Sequence, residues 1–126
     1  MSLAYWYEVQ NIDVDVNYKS IRGVLSVEGE QLLFEYKLYD KSKTAISSLN
    51  KYAIEVDILK SLRYKKTLFN AYLIIETVQT VFLEPLPGSS KGMINLRIDR
   101  SYRRAAEDFC TKINIALDQR KKQSTI

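Results

Sequence analysis

The chain has 126 residues, of which 46% are hydrophobic and 27% charged, a composition typical of one folded domain with a single core and not of a disordered protein. It contains no histidine, which excludes the commonest general base and the histidine-dependent Ser and Cys triads. The net charge of +4 is mildly basic, and because the positive charges are scattered we interpret them mainly as solvated surface.

No segment approaches the roughly 20 apolar residues that cross a bilayer, and the first residues lack the basic and apolar regions of a secretory signal. With one cysteine and no export signal, we expect a cytoplasmic protein without internal disulfides. We expect a single domain over 1–126. Its core covers about 18–120, with an N-terminal strand or extension at 1–17 and a flexible tail at 121–126.

Apolar and polar residues alternate along most of the chain, which predicts half-buried β-strands. The first alternating run covers residues 12–16. Residues 23–27 and 31–39 alternate in the same way on either side of Gly29, which supplies a turn. Together these two runs predict a hairpin.

The polar interval 40–50 is expected to be a loop, and alternation resumes after it. Further strands are predicted at 54–58, 62–65, 73–77, 81–83 and 94–98. The chain can turn at 67–71, and a cluster of Pro, Gly and Ser at 85–90 ends the strand at 81–83.

The periodicity then changes to that of a helix. Apolar residues from Tyr102 to Leu117 recur at the three- and four-residue spacing of one helix face. Asp99 or Ser101 can cap the start of this helix, and basic residues at its end suit the helix dipole. The predicted fold is therefore mainly β, with antiparallel strands followed by one C-terminal α-helix that covers an open end or face of a curled sheet.

This order of elements resembles the pleckstrin-homology-like (PH-like) superfold. The chain is similar to the bacterial branch of that superfold in the segments AIEVDI (53–58), YKKTLF (64–69), AYLII (71–75), LPG (86–88), INLRI (94–98) and RRAAEDF (103–109). The likeness covers roughly residues 23–117. It implies a curled seven-stranded antiparallel sheet, or partly open barrel, capped by the helix, and a binding or scaffold role instead of catalysis.

The chain departs from the family pattern in two places. Lipid-binding members place Lys and Arg in and around the first hairpin, whereas that turn here is Glu28-Gly29-Glu30, which would repel a phosphate. Only Lys19 and Arg22 lie nearby. The Trp that is usual in the closing helix is also absent, and we expect Phe109 to take its plugging role.

No pattern predicts an enzyme, a metal site or a cofactor. Cys110 is alone on the apolar stripe of the helix, and we interpret it as a small core residue. The carboxylates at 13 and 15, and at 55 and 57, lie two apart on outer strand faces, as they commonly do on solvated strands. The sequence from Gly88 to Gly92 lacks the spacing of a phosphate-binding loop. We therefore expect a non-catalytic binding or scaffold protein.

The leading hypothesis is protein–protein interaction, including self-association into a homo-oligomer. Alternation places Tyr72 and Ile74 on the outward face of their strand, where apolar side chains are unusual. Outward residues of the predicted hairpin can extend this patch, and the N-terminal tryptophan can cover it within the chain or on a second copy. The predicted interface residues are Trp6, Leu33, Tyr39, Tyr72 and Ile74.

The alternative is peripheral contact with an anionic membrane or lipid headgroups. The residues that would carry it are Arg63, Lys65, Lys66, Arg120, Lys121 and Lys122. Nucleic-acid binding is disfavoured, because the carboxylates on neighbouring outward positions are expected to pair with the lysines across strands. Those carboxylates are Glu35, Glu55, Asp57 and Glu76.

Overall fold

A computed structural model of the chain describes residues 2–8 and 18–124, with side chains as far as Arg120. Within this part, seven strands form one antiparallel sheet that does not close, and one long helix follows them. The predicted fold class, mainly β with one C-terminal α-helix, is confirmed. The strand predicted at 12–16 lies outside the described residues.

The first strand lies in the middle of the sheet. The strands are β1 (Ser2–Glu8), β2 (Ser20–Glu28), β3 (Gln31–Tyr39), β4 (Asn50–Glu55), β5 (Leu59–Lys66), β6 (Ala71–Thr77) and β7 (Met93–Ile98). Their spatial order is β4-β3-β2-β1-β7-β6-β5. β1 therefore joins one three-stranded meander to the other.

The hairpin predicted around Gly29 is confirmed. Residues Glu28 and Gln31 form the last pair of the β2–β3 ladder, and the turn between them holds Gly29 at a φ of +61°. That left-handed conformation is one that glycine adopts without a steric penalty.

Two segments predicted as strand are helical turns instead. The strand expected at 54–58 ends at Glu55, and Val56–Ile58 form a 3-10 turn. The strand expected at 81–83 belongs to the 3-10 helix Thr80–Leu83. Each turn buries one apolar side chain, Val56 or Leu83, and over three or four residues this pattern cannot be distinguished from the alternation of a strand.

The helix α1 (Arg103–Ser124) closes the core. It packs chiefly against β5, and its stripe buries Ala106, Phe109, Cys110, Ile113 and Leu117. Tyr102, predicted on the same stripe, is 38% exposed, because it belongs to a separate 3-10 turn before the helix. The helix continues through residues 121–124, which the sequence had placed in a flexible tail.

β1 contributes to the core although the sequence placed its residues ahead of the main domain. Leu3 and Tyr5 are buried, and the ring of Tyr7 stacks beside that of Tyr5, with 6.2 Å between the ring centroids. The Tyr7 hydroxyl donates a hydrogen bond of 2.6 Å to the carbonyl oxygen of Pro87. Through this bond β1 anchors the turn that precedes β7.

Candidate functional site

A line of outward side chains crosses six adjacent strands at one level of the sheet. Trp6 on β1 lies opposite Arg22 of β2 on one side and Arg97 of β7 on the other. The register continues this line to both sides, through β3 and through β6 to β5. We call it the outer row, and it consists of Lys37, Arg22, Trp6, Arg97, Tyr72 and Lys65.

The alternation of each strand places these side chains outside. Trp6 stands between Tyr5 and Tyr7, which point into the core, and Arg97 stands between the buried Leu96 and Ile98. Since neighbouring strands lie about 4.8 Å apart, the outer row is roughly 24 Å long. A side chain on one strand therefore faces side chains that are distant in the sequence.

The arginines of the outer row are held against aromatic rings. The guanidinium carbon of Arg97 lies 4.3 Å from the centroid of the Trp6 ring. That of Arg22 lies 5.8 Å from the centroid of the Tyr39 ring, which follows Lys37 on the outer face of β3. Cation–π contacts of this kind fix the planar guanidinium while leaving its N–H donors free for a ligand.

The middle of the outer row borders a shallow concavity of about 390 Å³. Aromatic, basic and amide side chains line it, together with one carboxylate. The lining residues are Trp6, Tyr7, Glu8, Tyr72, Asn95 and Arg97. Arg97 lies between Trp6 and Tyr72 in this lining.

The outer row carries four cations and no carboxylate, and the acidic residues expected to neutralise its neighbours are engaged elsewhere. Glu76 pairs with Lys60 at 3.5 Å, and Asp57 pairs with Arg120. Glu55 accepts a hydrogen bond of 2.9 Å from the side chain of Gln31. Glu76 thus pairs across strands with a lysine of β5, but with Lys60 and not with Lys65 or Lys66. Glu35, the fourth expected carboxylate, lies opposite Lys51 of β4, so among the described residues the expected pairing with residues 63–66 is not found.

The predicted interface residues are only partly brought together. Trp6 and Tyr72 belong to the outer row, Ile74 lies opposite Arg63 and Asn95 one level away, and Tyr39 stacks on Arg22. Leu33 lies between Ser26 and Ala53 on the other half of the sheet and does not join them. All five predicted side chains are half-buried.

The basic residues predicted as a lipid contact divide into two separate groups. Arg63, Lys65 and Lys66 lie toward the far end of β5 and are exposed. Arg120 pairs with Asp57, just before β5 begins, and with Glu30 at 3.3 Å. Arg120 and the three basic residues of β5 therefore do not form one surface. Lys121 and Lys122 follow Arg120 in the helix, but their side chains lie outside the described part of the chain.

Sequence reasoning missed the arginines and lysine that complete the outer row. Alternation places Arg97 outward, but it does not reveal that Trp6 is its neighbour, because nothing in the sequence shows that β1 pairs with β7. The places of Arg22 and Lys37 in the outer row could not be predicted either, because the sequence does not reveal the register between strands. The single tryptophan at an outward position of an alternating segment was the signal available.

The described residues contain no group of three or more His, Cys, Asp or Glu side chains that could hold a metal ion. Cys110 is buried, and its thiol donates a hydrogen bond of 3.0 Å to the carbonyl oxygen of Leu62. Burial raises the pKa of the Cys110 thiol, which makes it a poor nucleophile. These properties fit the core role predicted for it.

Comparison of the chain with protein-family models, with curated proteins and with solved structures finds no match in any of the three. The resemblance to the PH-like superfold therefore stays a prediction. In the part of the chain that the structure describes, no helix has the length and apolar character needed to span a bilayer. Function has to be argued from the surface of the molecule.

Proposed function

We propose that this chain is a PH-like, non-catalytic binding module whose outer row binds an acidic segment of a protein partner. The observation that carries the proposal is the register that aligns Arg22, Trp6, Arg97 and Tyr72 on four adjacent strands. Trp, Tyr and Arg are the residue types most enriched among interface hot spots. Here they are contiguous and face outward.

The chemistry of the outer row favours a ligand that carries carboxylates. Arg97 is positioned by the Trp6 ring and presents a planar donor group that matches the two oxygens of a carboxylate. Lys37 and Lys65 at the two ends add positive charge. An extended segment of about eight residues would span the whole row.

The same charge pattern disfavours self-association through this face. Two copies related by a two-fold axis would bring one positively charged row against the other, and like charges that meet in an interface cost free energy. Self-association through the sheet edges is a second candidate. Among the described strands, β4 and β5 each have a single neighbour, so each presents an open edge.

Trp6 provides the assay, because it is the single tryptophan of the chain and lies in the outer row. We would titrate the protein with a synthetic peptide of alternating Glu and Tyr, about eight residues long, and follow the indole emission. We expect a saturable change that weakens with salt. A peptide with Lys in place of Glu and an oligothymidylate of similar length are the competing ligands.

The double substitution Arg97→Gln/Tyr72→Ser should weaken peptide binding at least about tenfold. The matched control, Lys51→Gln/Leu33→Ser, lies on the other half of the outer face and should leave binding unchanged. Equal binding of the oligothymidylate, or no saturable signal from the acidic peptide, would contradict the proposal. Light scattering of the native chain and of Tyr72→Ser/Ile74→Ser distinguishes self-association, since a dimer dissolved by that change would make this face a homotypic interface.

A further inference from the structure

The β5–β6 hairpin ends in two apolar side chains that the fold does not bury. Leu68 is 85% exposed and Phe69 is 78% exposed, the largest values among the large apolar residues described. We call these two residues the apolar tip. Scattered exposed apolar residues are ordinary, but two adjacent and nearly fully exposed ones at the end of a hairpin are not.

The turn itself does not require apolar residues. Thr67 and Asn70 close it: the amide of Thr67 donates to the carbonyl oxygen of Asn70 at 2.7 Å, and the amide of Asn70 donates to the Thr67 hydroxyl at 3.0 Å. Leu68 and Phe69 occupy the two positions between them, where Gly, Pro, Asn, Asp and Ser usually dominate. Neither turn geometry nor core packing accounts for the residues found there.

Positive charge from two elements lies next to the apolar tip. The hairpin supplies Lys65 and Lys66, and the guanidinium of Arg103, at the start of α1, donates a hydrogen bond of 2.6 Å to the carbonyl oxygen of Phe69. Two further arginines flank Arg103 in the chain and are exposed. We call the set the basic collar, and it consists of Lys65, Lys66, Arg100, Arg103 and Arg104. Three exposed carboxylates lie near these arginines in the chain: Asp99 before α1, and Glu107 and Asp108 one turn after Arg103 and Arg104.

We propose that the apolar tip inserts into the surface of an anionic membrane while the basic collar binds the headgroups. Charge complementarity selects this occupant, because a membrane surface offers negative charge around a projecting apolar point, with hydrocarbon beneath it. The collar residues come from the hairpin and from the start of α1, which Arg103 joins to the tip, so we expect the site to recognise the negative charge of the surface and not one particular headgroup. This site shares Lys65 and Lys66 with the predicted lipid contact but does not involve Arg120.

Cosedimentation with vesicles tests the proposal. The native chain should bind vesicles of phosphatidylcholine containing about a third phosphatidylglycerol, should bind pure phosphatidylcholine far less, and should be released by salt, as expected for an anionic surface. Leu68→Ser/Phe69→Ser should lower the partition coefficient at least about tenfold. Because both side chains are exposed, this variant should fold as the native chain does.

Matched controls distinguish insertion of the apolar tip from non-specific hydrophobic binding to the vesicles. Ile46→Ser/Leu49→Ser removes two other exposed apolar residues, 44% and 49% exposed, and should leave partitioning unchanged. Lys65→Gln/Lys66→Gln should weaken binding severalfold, and Lys41→Gln/Lys51→Gln, which removes the same charge elsewhere, should weaken it much less. Equal losses in the two apolar pairs would overturn the proposal, as would no binding to anionic vesicles at low salt.

Fluorescence quenching tests directly whether the tip inserts into the bilayer. In a Trp6→Phe background, Phe69→Trp places the single indole at the tip, and lipids brominated on the acyl chains should quench it. Leu49→Trp in the same background should not be quenched. Quenching of both probes or of neither would overturn the proposal. So would a Leu68→Ser/Phe69→Ser change that converts an oligomer to a monomer without altering partitioning, because the tip would then be a contact between copies of the chain.

Discussion

Arg97 lies over the ring of Trp6 on the outer face of the sheet, with its guanidinium carbon 4.3 Å from the ring centroid. The two residues are opposite each other in the β1–β7 ladder, which is short and consists of the pairs Tyr5–Ile98 and Trp6–Arg97. The contact therefore has two roles. It orients the guanidinium that we propose binds the ligand, and it reinforces the short seam between the two halves of the sheet.

Removing the guanidinium should alter the tryptophan and weaken the fold slightly. We expect Arg97→Ala to change the emission maximum of Trp6 and to lower the free energy of unfolding by about 1 kcal/mol, since a partly exposed cation–π contact has this magnitude. Emission spectra and urea unfolding measure both effects. Arg63→Ala is the control, because Arg63 is exposed and lies opposite Ile74. An unchanged Trp6 spectrum in Arg97→Ala would contradict the stacked geometry.

A β carbon at Gly23 should be far more harmful than one at Gly29. At Gly23 it would lie 2.0 Å from the carbonyl oxygen of Glu35 and 2.8 Å from the Tyr5 hydroxyl, whereas at Gly29 it would meet nothing within 4 Å. Gly29→Ala should cost about 1 kcal/mol, because only its positive φ opposes the change. Gly23→Ala should cost about 3 kcal/mol or more, because backbone must move. Similar urea midpoints for the two variants would refute the close approach.

Phe109 should be the most costly residue to truncate on the helix. It is 3% exposed, and Phe→Ala changes in cores cost about 3–5 kcal/mol. Ile115 lies on the same helix but is 52% exposed, so Ile115→Ala should cost less than about 1 kcal/mol. Thermal and urea unfolding of the two variants test whether the helix caps the sheet through this ring. Equal destabilisation would mean that it does not.

Stability should fall at alkaline pH, and two core tyrosines should be the main cause. Burial raises the pKa of both Tyr5 and Tyr7 above the usual value of 10.0. Their phenols therefore stay protonated in the folded state while the unfolded chain ionises, so their contribution is intact below about pH 10 and is lost as the pH rises further. The slope should approach about 1.4 kcal/mol per pH unit for each ring.

Urea unfolding at a series of pH values above about 9.5, just below the onset of tyrosine ionisation, measures this slope. Burial also raises the pKa of Tyr36 and of the Cys110 thiol, so these groups add to the slope, and Tyr7→Phe should reduce it by at most about 1.4 kcal/mol per pH unit. An identical slope in native chain and Tyr7→Phe would show that the Tyr7 phenol ionises as freely in the folded protein as in the unfolded one.

Arg120, near the end of the helix, should have little influence on either the free energy of unfolding or lipid binding. Arg120 pairs with Glu30 and Asp57, whose side chains are 72% and 63% exposed, and surface pairs of this kind contribute less than about 1 kcal/mol. Arg120→Gln should therefore unfold within 1 kcal/mol of the native chain and partition onto anionic vesicles equally well. A large loss of partitioning would return the lipid contact to this end of α1.

The fold could be predicted from period-two and helical patterns because burial imposes them residue by residue. Leu32 and Phe34 in β3, and Phe109 in α1, were assigned inward and are buried. The neighbour relations could not be predicted, because strand order depends on contacts between distant segments. Trp6 was predicted as an interface residue that covers the patch of Tyr72 and Ile74, but its position beside Arg97 follows from the β1–β7 pairing. The apolar tip was also missed, since a turn was expected at 67–71 and its exposed residues have no periodic signature.

The central position of β1 bears on how the chain folds. β1 precedes the other described strands and can pair early with β2, but its other edge must wait for β7, the last of them. Closing so long a loop slows folding relative to proteins dominated by local contacts. Until β7 arrives, a strand bearing Trp6 and two tyrosines presents an unpaired edge, the kind of surface that aggregates during synthesis or engages chaperones.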